Sequence, residues 1–143
     1  MALVKRDEIG ATAPADKQPI FRSMVETYKQ LLDEGNHIGA YVVAFSYLED
    51  RITAMDVIRH RVDDVEKKSF SQLGKMVENL QLAGDLPAEL VKDVEDTARV
   101  RNDLFHRTMW NFENFTHERS EEVFRVAKAV DNARRRQKTQ LGE

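Results

Sequence analysis

The chain has 143 residues, of which 41% are hydrophobic and 33% charged. This length fits one domain, and the composition is that of a globular protein. A net charge of −3 argues against a protein that coats nucleic acid nonspecifically, although it leaves room for a local basic patch. The absence of cysteine excludes disulfides, zinc–thiolate sites and cysteine nucleophiles. Because no signal-peptide core and no membrane-spanning apolar run is visible, we expect a cytoplasmic protein that does not enter membranes.

Helical periodicity runs through most of the chain, and no segment has the alternating pattern of a strand. Residues 1–18 lack a clear period and are expected to form a flexible N-terminal arm, and residues 138–143 a C-terminal tail. Residues 19–137 are predicted to form an antiparallel bundle of four to five helices, because short connections make consecutive helices antiparallel neighbours. The fold class is therefore all-α. The helices are predicted at about 21–32, 38–61, 70–82, 87–110 and 117–136.

The fourth predicted helix carries an arginine where core residues are expected. Arg101 falls in the middle of an apolar seam, and a guanidinium there is costly unless it is paired or the seam opens to a cleft or a partner. Asn102 follows it directly, and His106 lies four residues after Asn102, within side-chain reach on a helix. The apolar seam consists of Val91, Val94, Ala98, Phe105 and Met109.

Arginine, asparagine and histidine together suit phosphodiester chemistry. Imidazole titrates near neutral pH and can move protons, whereas guanidinium stays charged and matches phosphate oxygens. An asparagine can orient either the ring or a substrate hydroxyl. With these groups, the 2′-hydroxyl of RNA could attack its own phosphate without a metal ion. The structural alternative is that His106 and the nearby arginines simply complement the helix dipole at a C-terminal end.

An aromatic segment follows this helix. Trp110, Phe112 and Phe115 could stack on nucleobases, or they could pack the loop onto the bundle.

The string from Arg101 to His106 (RNDLFH) resembles the signature of HEPN domains, in which a polar residue, commonly Asn, follows the arginine and a histidine comes four to six residues later. The surroundings agree with this resemblance. Glu49 in SYLEDRI follows a small and apolar run, as in many HEPN domains, and SFSQLGKMVENL is similar to their third helix. The resemblance spans about residues 20–130, which is most of the chain.

The resemblance implies a helical bundle that dimerises, with two copies of the motif facing each other across a cleft. Many HEPN domains are metal-independent ribonucleases that leave 2′,3′-cyclic phosphate and 5′-hydroxyl ends. By this resemblance Arg101 and His106 are expected to be catalytic, with Asn102 supporting them. Glu49 is expected to pair with Arg101 or to orient the site. RNA is expected on the side of the arginines, where Arg99 and Arg107 would contribute.

The resemblance also implies partners. HEPN domains occur in toxin–antitoxin, phage-defence and RNA-processing systems, so we expect a homodimer, an RNA substrate and an antitoxin or another protein partner. Thr108 stands where one toxin subclass has a tyrosine that its partner modifies, which argues against that mode of neutralisation. We expect no metal and no cofactor. Two alternatives stay open: a non-catalytic HEPN-like dimer that binds a nucleotide, RNA or protein, and a helical scaffold subunit.

Overall fold

A computed structural model of the chain describes residues 18–65, 72–107 and 110–142. Within these ranges the chain forms five α-helices and no strand, which confirms the all-α bundle. The predicted N-terminal arm lies outside the described residues, apart from Gln18, which begins the first helix. The helices are α1 (Gln18–Asp33), α2 (His37–Val62), α3 (Leu73–Leu82), α4 (Ala88–His106) and α5 (His117–Leu141), with a short 3-10 helix at Phe112–Asn114.

α2 is the central helix of the bundle. The side chain of Asn36 accepts a hydrogen bond from the backbone N–H of Gly39 at 2.9 Å and so caps its first turn. α1, α3 and α5 all pack against α2, and α4 packs against α3 and α5. A helix with neighbours on several sides must be apolar on several faces. Its fully buried apolar residues are Ala40, Tyr41, Ala44, Leu48, Ile52 and Met55.

α5 runs parallel to α2. Near their starts, the hydroxyl of Ser120 donates to the backbone oxygen of His37 at 3.5 Å, and near their ends, Nε2 of Gln137 donates to the backbone oxygen of Met55 at 3.0 Å. Gln137 is only 1% exposed. This buried anchor explains why α5 continues past its predicted end at Arg136 and takes in the first residues of the predicted tail.

α3 and α4 run in opposite directions along α2. The hydroxyl of Thr53, near the middle of α2, contacts the sulfur of Met76, and Asp85, just after α3, binds Arg59 near the end of α2. α3 therefore does not reverse the direction of α2, unlike the other consecutive pairs, because the connection between them is long enough to return. α4 then runs back, so that Phe105 near its end packs on the Tyr41 ring.

The side of α4 that packs against the core includes part of the apolar seam predicted from the sequence. Val91 and Val94 are buried, whereas Ala98 and Phe105 are partly buried and pack against the core. Met109 lies outside the described residues. Three further residues, which the seam had omitted, are buried on the same stripe: Leu90, Thr97 and Leu104.

α4 ends at His106, whereas the sequence predicts an end near residue 110. The side-chain amide of Asn111 donates to the backbone oxygen of Asp103 at 3.1 Å and to that of Leu104 at 3.4 Å. These carbonyls have no partner within the helix at its last turn, so the returning loop satisfies them. The shorter helix leaves His106 at its terminus.

Candidate functional site

Arg101 lies in the apolar stripe of α4, as predicted, and is half-buried there. Its guanidinium carbon is 5.2 Å from the centre of the Phe45 ring and 5.3 Å from that of Phe105. Its Nη1 donates to Oδ1 of Asn102 at 3.3 Å. Two aromatic rings and an amide therefore hold the cation at the margin of the core, where a charge without such contacts would be costly.

Arg101 borders an open groove of about 350 Å³ between α2, α3 and α4. Phe45 and Val77 supply apolar lining, and Asn102 lies at the α4 side. The apolar seam therefore opens to a cleft at Arg101. An opening of this kind lowers the cost of placing an arginine among core residues, as the sequence analysis required.

Two carboxylates also line this groove, Glu49 from α2 and Glu95 from α4. Within the described ranges, no ion pair joins Glu49 to Arg101. Glu49 is exposed and close enough to share the groove, so its negative charge acts on the site without a direct contact.

His106 is the last residue of α4 and is exposed. It lies one turn beyond Asn102, which is also exposed, on the same face of the helix. Relative to Arg101 it is displaced by about 7.5 Å along the axis and about 140° around it. In one chain, therefore, Asn102 lies between the arginine and the histidine, and the latter two side chains leave the helix in different directions.

Arg99 and Arg107, the expected RNA contacts, are both exposed. Arg99 is bound to Asp96 on its own helix, with Nη2 2.5 Å from Oδ1. Arg107 is the residue after the end of α4 and has no regular helical backbone (φ −137°, ψ 68°). Positive charge is thus available near His106, and part of that on Arg99 is neutralised locally.

In the aromatic segment, one ring packs onto the bundle and two rings remain free to stack on nucleobases. Phe115 is 3% exposed and packs edge-on against Tyr41, with ring centres 5.5 Å apart. Trp110 and Phe112 are 84% and 65% exposed. The backbone N–H of Trp110 donates to the oxygen of Arg107 at 3.0 Å, which ties the exposed indole to the end of α4.

Two residues of this site are missing from the sequence interpretation. Phe45 comes from α2 and contacts Arg101 only because the bundle brings α2 and α4 together. Asn111 fixes the end of α4 from outside that helix. An asparagine just after a predicted helix is a known C-terminal signal, so Asn111 could have been noticed, whereas nothing local marks Phe45.

Comparisons of this chain with protein-family models, with curated proteins and with solved structures find no match. None of the helices in the described ranges has the length and apolar character needed to cross a bilayer. Across the same ranges, no three histidine or carboxylate side chains converge as metal ligands would. Thr108, which bears on the expected antitoxin, lies outside the described residues.

Proposed function

We propose that this chain is a metal-independent endoribonuclease of the HEPN type that acts as a homodimer in the cytoplasm. The observation that carries the proposal is the arrangement of Arg101, Asn102 and His106 at the solvent-facing end of α4. Arg101 borders a groove and donates to Asn102, and His106 follows one turn later with its ring in solvent. Such a placement suits groups that act on an external phosphodiester.

The reaction would proceed by transfer within the RNA. A base removes the proton of the 2′-hydroxyl, the 2′-oxygen attacks the adjacent phosphorus, and an acid protonates the departing 5′-oxygen. His106 supplies an imidazole for these proton transfers, and Arg101 stabilises the negative charge that develops on the phosphate oxygens. The products are a 2′,3′-cyclic phosphate and a 5′-hydroxyl. Asn102 orients the arginine.

The homodimer follows from the separation of Arg101 and His106 on one helix. Proton removal and proton donation require two groups, and this chain offers one histidine at the site. A two-fold axis near α4 would bring a second Arg101 and a second His106 to the same phosphate. Light scattering at micromolar concentration is expected to give the mass of a dimer, and a monomer would contradict this part of the proposal.

The exposed aromatics next to α4 support single-stranded RNA as the substrate. Trp110 is exposed and its backbone binds Arg107 just beyond α4, while Phe112 is also exposed and lies near Asn36 and His37 at the start of α2. Bases that are not paired can stack on such faces, and the stacking is worth about 1–3 kcal/mol per base. RNA loops or ends are therefore expected to bind better than duplexes.

A second candidate is a non-catalytic binding module, and the carboxylates favour it. Glu49 and Glu95 line the groove beside a single guanidinium, and like charge opposes the approach of a phosphate backbone. A protein partner, including an antitoxin, with a cationic side chain would fit that groove. This reading predicts binding without strand cleavage.

Kinetics of RNA cleavage separate the two candidates. His106→Ala is expected to lower the rate by about 10²–10⁴-fold, because it removes acid–base catalysis. Arg101→Ala is expected to lower it by a similar factor through loss of charge stabilisation. Asn102→Ala should have a milder effect, since orientation is partly recovered.

His117→Ala is the matched control for the histidine substitution. His117 is also exposed but begins α5, where its ring contacts Glu121 at 2.7 Å. Its removal is expected to leave cleavage unchanged, and EDTA is expected to have no effect. Cleavage that survives in His106→Ala, or that stops with EDTA, would contradict the mechanism. A wild-type protein that binds RNA without cleaving it would establish the binding module instead.

A further inference from the structure

The groove beside Arg101 has an apolar floor. Val77 from α3 and Val94 from α4 line it and are each 1% exposed, and Ala98 adds a partly buried methyl group. The volume of about 350 Å³ falls within the range of roughly 300–1,000 Å³ that is typical of ligand pockets. An occupant of this groove is therefore expected to place an apolar or aromatic surface on the floor.

Two carboxylates also line the groove, Glu49 from α2 and Glu95 from α4. Both residues are exposed, and across the described ranges neither side chain takes part in an ion pair. Carboxylate oxygens accept hydrogen bonds, and their negative charge repels a phosphate. Arg101 at the same groove opposes a cationic occupant. A neutral molecule with N–H donors satisfies both conditions.

Gly74 leaves the α3 wall of the groove without a side chain. A Cβ at this position would meet no atom of the described chain within 4 Å, and the φ of Gly74 is not positive. Neither packing nor backbone conformation therefore requires a glycine here, and an alanine would favour the helix more. The bare backbone allows a flat ring to approach α3 closely.

Glu49 is the carboxylate nearer to Arg101. Arg101 lies beside Phe45, and Glu49 follows Phe45 by one turn of α2, about 6 Å along its axis. Glu95 precedes Arg101 by six residues of α4, about 9 Å along the axis. Because α4 runs opposite to α2, both carboxylates lie on the same side of Arg101 along the bundle. A base beside Glu49 and a phosphate beside Arg101 can therefore come from the same stretch of one RNA strand.

We propose that Glu49 recognises a guanine base of an RNA strand whose phosphate binds Arg101. The Watson–Crick edge of guanine carries N1–H and N2–H side by side, and these two donors match the two oxygens of one carboxylate. Adenine and cytosine place an acceptor nitrogen beside their amino group, and uracil has one N–H between two carbonyls, so each would turn an acceptor towards Glu49. The guanine ring lies on the apolar floor next to Gly74. The inference rests on the proposed function, because it takes RNA as the ligand of this site.

Fluorescence anisotropy of short labelled RNAs tests the proposal. The full chain carries His106→Ala, so that the RNA stays intact, and the probes are uridine heptanucleotides with guanosine, adenosine or inosine at the centre. The guanosine strand is expected to bind about tenfold more tightly than the other two, because adenine lacks both donors and inosine lacks the amino group. A strand with 7-deazaguanosine keeps the Watson–Crick edge and should bind as the guanosine strand does. Equal binding of the guanosine and adenosine strands would overturn the proposal.

Two substitutions in the same background separate a contact with Glu49 from a general effect of charge. Glu49→Gln is expected to abolish the preference for guanosine over inosine, because an amide replaces one acceptor by a donor. Glu95→Gln removes an equal charge from the same groove farther from Arg101, and it should keep the preference. Equal loss in both variants would contradict the assignment, since the charge of the groove would then set the preference. An unchanged preference in Glu49→Gln would contradict it as well, and is the result expected if the groove holds a cationic side chain of a protein.

Cleavage by the wild-type chain is measured separately, so the two proposals can fail independently. A guanosine preference without cleavage would refute the nuclease and leave base recognition intact. Cleavage without a guanosine preference would refute base recognition alone.

Discussion

Asp85, in the turn between α3 and α4, joins the ends of α2 and α5, and its replacement by alanine is a severe test of how the bundle is held together. The carboxylate accepts hydrogen bonds from Nε and Nη2 of Arg59 at 2.8 Å and 2.6 Å, and from Nε2 of Gln137 at 3.0 Å. The hydrogen bonds that Arg59 donates to Asp85 also raise the pKa of Arg59 above its ordinary value. α2, the turn between α3 and α4, and the end of α5 therefore meet at one buried side chain.

The cost of Asp85→Ala follows from the burial of both partners. The Asp85 side chain is 4% exposed and that of Arg59 17%, so the substitution leaves a largely buried guanidinium with a weaker partner. Removal of one member of a buried ion pair costs about 3–5 kcal/mol. Arg59 keeps some solvent contact and a longer ion pair with Asp63 at 3.3 Å, which places the expected loss near about 3 kcal/mol. The melting temperature should fall by roughly 10 °C.

Urea denaturation followed by far-UV circular dichroism measures this loss. Asp63→Ala is the matched control, because Asp63 binds the same arginine with a side chain that is 50% exposed. The control should cost less than about 1 kcal/mol, as exposed ion pairs contribute little. If Asp85→Ala and Asp63→Ala lowered the free energy of unfolding equally, the hydrogen bonds that Asp85 accepts from Arg59 and Gln137 could not be what fixes the end of α5.

Three further predictions concern α4, acid stability and RNA binding. Leu104→Ala should lower the free energy of unfolding in urea by about 2–5 kcal/mol because the side chain is buried. Trp110→Ala, at an exposed position, should change it by less than about 0.5 kcal/mol. Equal effects of the two substitutions would mean that α4 is rotated about its axis. Burial alone would raise the pKa of Asp131, but Arg134 and Arg51 lower it below its ordinary value. Wild-type stability should therefore fall as the pH drops below about 4, and Asp131→Asn should lose less over that range; parallel acid denaturation curves would contradict this. Trp110 is the single tryptophan, so its fluorescence should be quenched by a single-stranded oligodeoxynucleotide more than by a duplex, and equal quenching would argue against base stacking.

The sequence predicted the helices well where local signals specify them. Apolar spacing along α1 and α2 and the turn at Gly35, whose φ of 74° favours glycine, are all local features. The ends of α4 and α5 were predicted less well, because each depends on a tertiary contact. Asn111 folds back onto the last turn of α4, and Gln137 reaches the backbone of α2. Such contacts leave no periodic pattern near the residue concerned.

The same distinction applies to the candidate site. Arg101, Asn102 and His106 follow one another on a single helix, so spacing alone placed them near each other. Phe45, which stacks on Arg101, is distant in sequence and became part of the site only through helix packing.

The chemistry of the RNA ends is the sharpest test of metal-independent cleavage by Arg101 and His106. The wild-type chain is incubated with a single-stranded RNA and with the same sequence methylated at every 2′-oxygen, and the products are identified by mass spectrometry. We expect 2′,3′-cyclic phosphate and 5′-hydroxyl ends from the RNA and no cleavage of the methylated strand, because the 2′-oxygen is the nucleophile. Products with 5′-phosphate ends, or cleavage of the methylated strand, would contradict the roles assigned to His106 and Arg101.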